Sequence, residues 1–124
     1  MVLPALGFIN LLVSNPLKSR DFYQEILGCT PVQNSPTFVL FALDGGVMLG
    51  LWSKYTVEPR IDFHGSSAEI CFAVQDVEAI YHAWSTKQVT IAQKPSEMEF
   101  GHTFVALDPD GHRVRVYRLK EDRP

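Results

Sequence analysis

The sequence predicts an α+β fold of two paired βαβββ modules whose strands form a curved mixed sheet around a cleft. Three observations carry this expectation. Two capped amphipathic helices stand in corresponding places in the two halves, short β-rich runs follow each of them, and several short peptides recur at nearly constant offset.

Residues 6–13 (Leu-Gly-Phe-Ile-Asn-Leu-Leu-Val) read as a first strand, apolar enough to be expected buried. Asn15 then caps a helix with Pro16 at its first position. Phe22, Tyr23, Ile26 and Leu27 recur at helical spacing, and Gly28 ends the helix. Strands are expected near 30–34, 37–43 and 46–52, the last two joined by Asp44-Gly45-Gly46. Residues 53–66, with Pro59, Gly65 and several charges, read as a linker. The pattern then restarts with a strand over 67–74. Asp76 caps a second helix, where Val77, Ile80, Tyr81 and Trp84 form one apolar stripe. Strands over 88–93, 101–107 and 112–118 complete it, the last two joined by Asp108-Pro109-Asp110-Gly111, in which proline pre-sets φ and glycine accepts positive φ. The expected organisation is one domain over 1–124, with module one at 1–52, the linker at 53–66 and module two at 67–124.

Val13-Ser14-Asn15 matches Val74-Gln75-Asp76 at an offset of 61, whereas Thr37-Phe38-Val39 matches Thr103-Phe104-Val105, and Asp44-Gly45 matches Asp110-Gly111, at 66. The five extra residues fall between the second helix and the seventh strand. Pairing two such modules, within or between chains, would bury the open sheet faces and leave a cleft.

With 46% hydrophobic and 20% charged residues, the composition is that of an ordinary globular protein. A net charge of −3 gives no basic footprint for a nucleic acid partner. No apolar run reaches the ~18 residues of a membrane span. Met1-Val2-Leu3-Pro4 lacks the charged start of a secretory signal, so a cytoplasmic location is expected. Cys29 and Cys71 have no metal-binding spacing and are expected to be reduced, buried thiols.

Val13-Ser14-Asn15 with Ser19, Phe22, Tyr23 and Leu27-Gly28, then Phe72 to Val77 and Asp108-Pro109-Asp110-Gly111-His112, resemble the vicinal oxygen chelate superfamily. That superfamily holds the glyoxalase/bleomycin resistance fold and includes glyoxalase I, extradiol dioxygenases, fosfomycin resistance enzymes and bleomycin-binding proteins. Leu51-Trp52-Ser53, Ala68-Glu69-Ile70 and the run from Phe100 through His112 to Arg115-Val116 are more closely similar to phenazine-antibiotic resistance proteins.

The resemblance implies a divalent metal held by the first and last strands of each module. Carried over by the two offsets, those positions are Phe8, Leu49, Glu69 and Arg115. Phenylalanine and leucine offer no donor atom, and arginine is a permanent cation. No metal, and no other cofactor, is therefore expected. Glu69 and Arg115 are expected instead to form a bidentate ion pair in the cleft floor, the alternative being that Arg115 reaches solvent at the strand end.

Strand alternation puts Phe8, Asn10 and Leu12 on one face and Glu69, Cys71 and Ala73 on its counterpart, while Val47, Leu49 and Leu51 correspond to Arg113, Arg115 and Tyr117. Trp52 falls out of phase with Leu49, leaving a stacking platform and ordinary packing both open. Phe100 and His102 are placed at the cleft rim by the resemblance, and Tyr55 and Phe63 lie in the linker. The expected ligand-binding set is thus Phe8, Asn10, Leu49, Trp52, Tyr55, Phe63, Glu69, Phe100, His102, Arg115 and Tyr117. His64, His82 and His112 read as surface or turn residues.

No GxSxG, P-loop or HExxH motif is present, and no catalytic residue is expected. An arginine beside Glu69 would favour the charged carboxylate, which weighs against a general base. The function expected is metal-independent binding of a planar aromatic or amphiphilic small molecule, with antibiotic sequestration as its role. The alternatives are a glyoxalase-like lyase or dioxygenase-like enzyme, and a structural or regulatory dimer with a vestigial cleft. The resemblance also implies a homodimer.

Overall fold

Two residues with short polar side chains, Asn15 and Asp76, start the two helices of the computed structural model, which describes residues 3–62 and 68–122. Asn15 is extended, and its side chain accepts a hydrogen bond from the Lys18 N–H at 3.2 Å. Asp76 accepts in the same way from the Ala79 N–H at 3.0 Å. Each cap satisfies one of the orphan donors of a helix start.

The chain divides into two units, Met1–His64 and Gly65–Pro124. The first runs β1 (Phe8–Val13), α1 (Pro16–Leu27), β2 (Gln33–Asn34), β3 (Phe38–Ala42) and β4 (Met48–Ser53). The second runs β5 (Glu69–Ala73), α2 (Val77–Ser85), β6 (Thr90–Met98), β7 (Gly101–Leu107) and β8 (Arg113–Leu119). Each is βαβββ, and together they make the α+β fold expected. The sheet orders are β1-β4-β3-β2 and β5-β8-β7-β6, with the first and last strands of each unit parallel and the rest antiparallel. Among the described residues no helix is long and apolar enough to cross a membrane.

One face of each sheet carries the core. In the first unit Val13, Val39, Phe41, Leu49 and Leu51 are buried together with Tyr23 of α1. In the second, Ile70, Phe104, Ala106, Val114 and Val116 are buried with Val77 and Trp84 of α2. The Phe104 ring meets Tyr81 and Trp84 edge-on, each at 5.4 Å between centroids, the geometry that ring quadrupoles prefer. Burial of the first strand starts only at Leu11. Phe8, Ile9 and Asn10 are exposed, contrary to the expectation of a buried strand, because β1 is an edge strand. Cys71, on edge strand β5, is likewise exposed rather than buried, and both cysteines are free thiols.

The pairing also corrects the register of the repeat. Phe8 lies opposite Met48, and Glu69 opposite Arg113. Met48 therefore corresponds to Arg113 and Gly50 to Arg115, an offset of 65 rather than 66. The turns agree: Leu43 N–H bonds to Val47 O as Asp108 N–H bonds to His112 O. Because side chains alternate, a slip of one residue moves every side chain to the other face. Leu49 is thus a core residue, 1% exposed, on the face opposite Phe8. The surplus residues of the second unit are taken up by β6, nine residues against two in β2, with register shifts between Ile91 and Gln93 and between Gln93 and Ser96.

The Asp-Pro-Asp-Gly turn is closed by its first residue. Asp108 is buried, and its Oδ1 accepts from the N–H groups of Asp110 at 2.9 Å and His112 at 2.8 Å. Gly111 adopts φ 83° and donates to Asp108 O at 2.9 Å. Of the two places expected for His112, surface or turn, it takes the second: it directly follows the turn and is buried by this closure. Replacing Asp108 by Ala leaves two backbone donors without their acceptor. The expected cost is about 2 kcal/mol, read as a melting temperature lower by roughly 10 °C, with Asp108→Asn milder because it keeps an acceptor oxygen.

Candidate functional site

The open face of the second sheet brings Glu69, Cys71 and Ala73 of β5 beside Arg113, Arg115 and Tyr117 of β8, in parallel register. Glu69 is the meeting point. Arg115 Nε donates to Glu69 Oε1 at 2.7 Å, and Arg113 Nε to Oε2 at 3.0 Å. The bidentate pair expected with Arg115 is replaced by one carboxylate shared between two arginines. The cause is spacing: residues two apart on a strand project from the same face, so both guanidiniums reach the same neighbour.

Arg115 is fixed in three further ways. Its Nη1 donates to Thr103 Oγ1 at 3.1 Å and to Gln93 Oε1 at 3.3 Å. The Phe100 ring centroid lies 5.8 Å from its Cζ, within cation–π range. Its side chain is 12% exposed, so it does not simply reach solvent, whereas that of Arg113 is 54% exposed. Gln93 sits between the two register shifts of β6, and such irregularities re-aim side chains. The roles of Gln93, Thr103 and Arg113 beside Arg115 and Glu69 were not foreseen; Thr103 and Arg113 lie in stretches the sequence singled out for other reasons, and no motif marks Gln93. Only the alternation of Arg113 with Arg115 pointed toward the pairing role of Arg113.

The Arg115 hydrogen bond is the largest influence holding the Glu69 carboxyl below its ordinary range, against the opposing effect of burial and with the charges of both arginines assisting. Glu69 is thereby made a weaker base, whereas a general base working near neutrality needs a carboxyl raised toward that pH. The Cys71 thiol, which donates to Glu69 Oε1 at 3.7 Å, is pushed up first by partial desolvation of its sulfur against the sheet and then by the carboxylate charge, away from the reactive thiolate.

The metal-binding arrangement implied by the fold does not fit these residues. Glu69 has both oxygens engaged by guanidiniums, Phe8 and Leu49 have no donor atoms, and the register places Gly50, without a side chain, where Arg115 stands in the second unit. Among the described residues no three His, Cys, Asp or Glu side chains are grouped to hold a metal ion.

Other expected site residues divide by face. In the first unit Phe8, Asn10 and Trp52 share one face, Trp52 being in phase with Phe8 once Leu49 is assigned to the core. Trp52 lies across from Phe38, with ring centroids 6.0 Å apart and planes at 79°. Asn10 lies across Gly50, where a Cβ would collide with its Oδ1. Tyr55 is exposed in the turn after β4, with Lys54 Nζ 5.5 Å from its ring centroid. Phe63 and His64 fall outside the described residues. His102 is not beside Glu69. Its strand position puts it on the helix side of β7, where Nε2 is 2.8 Å from Glu78 Oε1 and Nδ1 is 3.0 Å from Glu97 Oε1. The resemblance grouped it with Phe100, but Phe100 lies in the turn before β7, outside the strand's alternation, with its ring by Arg115.

The sequence profile of the Glyoxalase/Bleomycin resistance protein/Dioxygenase superfamily matches residues 5–116. The phenazine antibiotic resistance protein EhpR of Enterobacter agglomerans is 34% identical over 113 residues, 86% of each chain. The metallothiol transferase FosB of Staphylococcus haemolyticus is 28% identical over 119 residues, 94% of this chain and 84% of that one. The solution structure of protein ATC0852 from Agrobacterium tumefaciens is 44% identical, with TM-score 0.83, covering 94% of this chain and 98% of that one.

Arg115→Met is expected to cost about 2–3 kcal/mol at neutral pH, because it breaks a charged hydrogen bond in a largely buried place. The depressed Glu69 group contributes stability that is present above its unfolded value and lost as pH falls through its folded one. The stability gap between the native protein and Glu69→Gln should therefore shrink on acidification to roughly pH 3. A gap in thermal melts that stays constant over that range would remove the shared carboxylate from the account.

Proposed function

Since the chain belongs to the Glyoxalase/Bleomycin resistance protein/Dioxygenase superfamily, we propose that it binds a planar aromatic or amphiphilic small molecule without a metal, and protects by sequestering an antibiotic. The observation that carries this reading is the carboxylate of Glu69, engaged on both oxygens by Arg113 and Arg115. A metal would have to displace two guanidiniums to use it, and among the described residues that β5 and β8 present there would find no second carboxylate. Support for the ligand class comes from EhpR, whose name assigns it resistance to a phenazine antibiotic. Ring-bearing side chains suit such a ligand: Phe8 and Trp52 in the first unit, and Phe100 and Tyr117 in the second.

The name of FosB points the other way, toward metal-dependent group transfer. The donor set does not favour that reading here, because Phe8, Gly50 and Arg115 supply no metal donor.

Calorimetric titration with phenazine, before and after treatment with a chelator, tests the proposal. Saturable binding with the same affinity in both conditions is expected. A stoichiometric metal in the purified protein, or binding abolished by chelation, would overturn it. The reading includes a homodimer, whose doubled mass light scattering would register and a monomer mass would refute.

A further inference from the structure

The guanidinium pair has capacity that its structural bonds do not use. Arg113 and Arg115 each spend Nε on Glu69, and Arg115 spends Nη1 on Thr103 and Gln93. Among the described residues, both terminal nitrogens of Arg113 and Nη2 of Arg115 have no further partner. Two guanidiniums against one carboxylate also leave the cluster one positive charge in excess. Both arginines border a cavity of about 430 Å³, whose other walls include Met98, Val105 and Leu107. A fused two-ring or three-ring compound is of the size such a cavity takes.

From this arrangement we infer that the ligand carries an anionic group, a carboxylate or a similar oxyanion, bound by the free edges of Arg113 and Arg115 with its aromatic rings against Met98, Val105 and Leu107. This rests on the reading of the chain as a binder of planar compounds and specifies the class within it. A planar guanidinium fork matches a carboxylate in geometry as well as charge. Glu69 makes the site possible without filling it. Its charge allows two cations to stand side by side, while its position on the Nε edges leaves their outer edges open. The bonds to Gln93 and Thr103 hold Arg115 in place before the ligand arrives, which lowers the ordering cost of binding.

The test compares 2-naphthoate with its neutral isostere 2-naphthamide by calorimetry at neutral pH and low salt. The acid is expected to bind about tenfold tighter or more, the preference to weaken with added salt, and Arg113→Gln to bring the two within about twofold. Arg113 is the residue to change first, because its exposed side chain leaves the Arg115–Glu69 bond in place, and an unchanged melting temperature confirms that the fold is kept. Arg113→Lys should restore only part of the preference, since a point charge replaces a fork. Equal affinities for acid and amide would overturn the inference while leaving planar-ligand binding standing. A preference that survives both Arg113→Gln and Arg115→Gln would overturn the site. Failure of both naphthalenes in a protein that binds phenazine would overturn the anionic class alone, and failure of all three would overturn the binding reading with it.

Discussion

The carboxylate of Glu69, shared between Arg115 and Arg113, sets the character of the second unit's open face. Two like charges two residues apart on one strand repel, and the neighbouring strand must answer them. Parallel pairing of β5 with β8 supplies Glu69 opposite Arg113 and within reach of Arg115. Removing the carboxylate would leave the more buried guanidinium with only neutral partners. The ionised state of Glu69 and the outward edges of both guanidiniums follow from that arrangement.

The rest of the face holds Arg115 rather than Glu69. Thr103 is fully buried on the central strand β7, where its hydroxyl both donates to Val116 O at 2.8 Å and accepts from Arg115. Gln93 reaches the same guanidinium because β6 carries extra residues that the first unit lacks. The insertion is thus more than a tolerated loop: it supplies a hydrogen-bond acceptor that a regular strand of minimal length would not present. Phe100 covers the guanidinium from the end of the same β6–β7 connection.

The two units are built alike and furnished differently. Where the second has Glu69, Arg113 and Arg115, the first has Phe8, Met48 and Gly50, and the room above Gly50 is taken by Asn10. A fold that relatives bearing quite different names share is here equipped with cations and rings. The chemistry of the face is thus set by the side chains that this chain places on a shared fold.

The sequence by itself determined the order of elements, the helix caps, the hairpin turns and the family. Those features are local: Asn15, Asp76 and Asp108 each bond to backbone groups within four residues. It also placed Glu69 near Arg115, since the first strand of each unit is aligned by an offset that the helix caps fix. Tertiary structure alone decided the face on which each side chain falls in the last strand. Letter identities suggested an offset of 66, strand pairing requires 65, and with a side-chain period of two that single residue exchanges core for surface. Leu49 moved into the core and Trp52 onto the face of Phe8 for that reason, while Gln93 and Thr103 joined the site through pairings between strands distant in sequence, which no local pattern encodes.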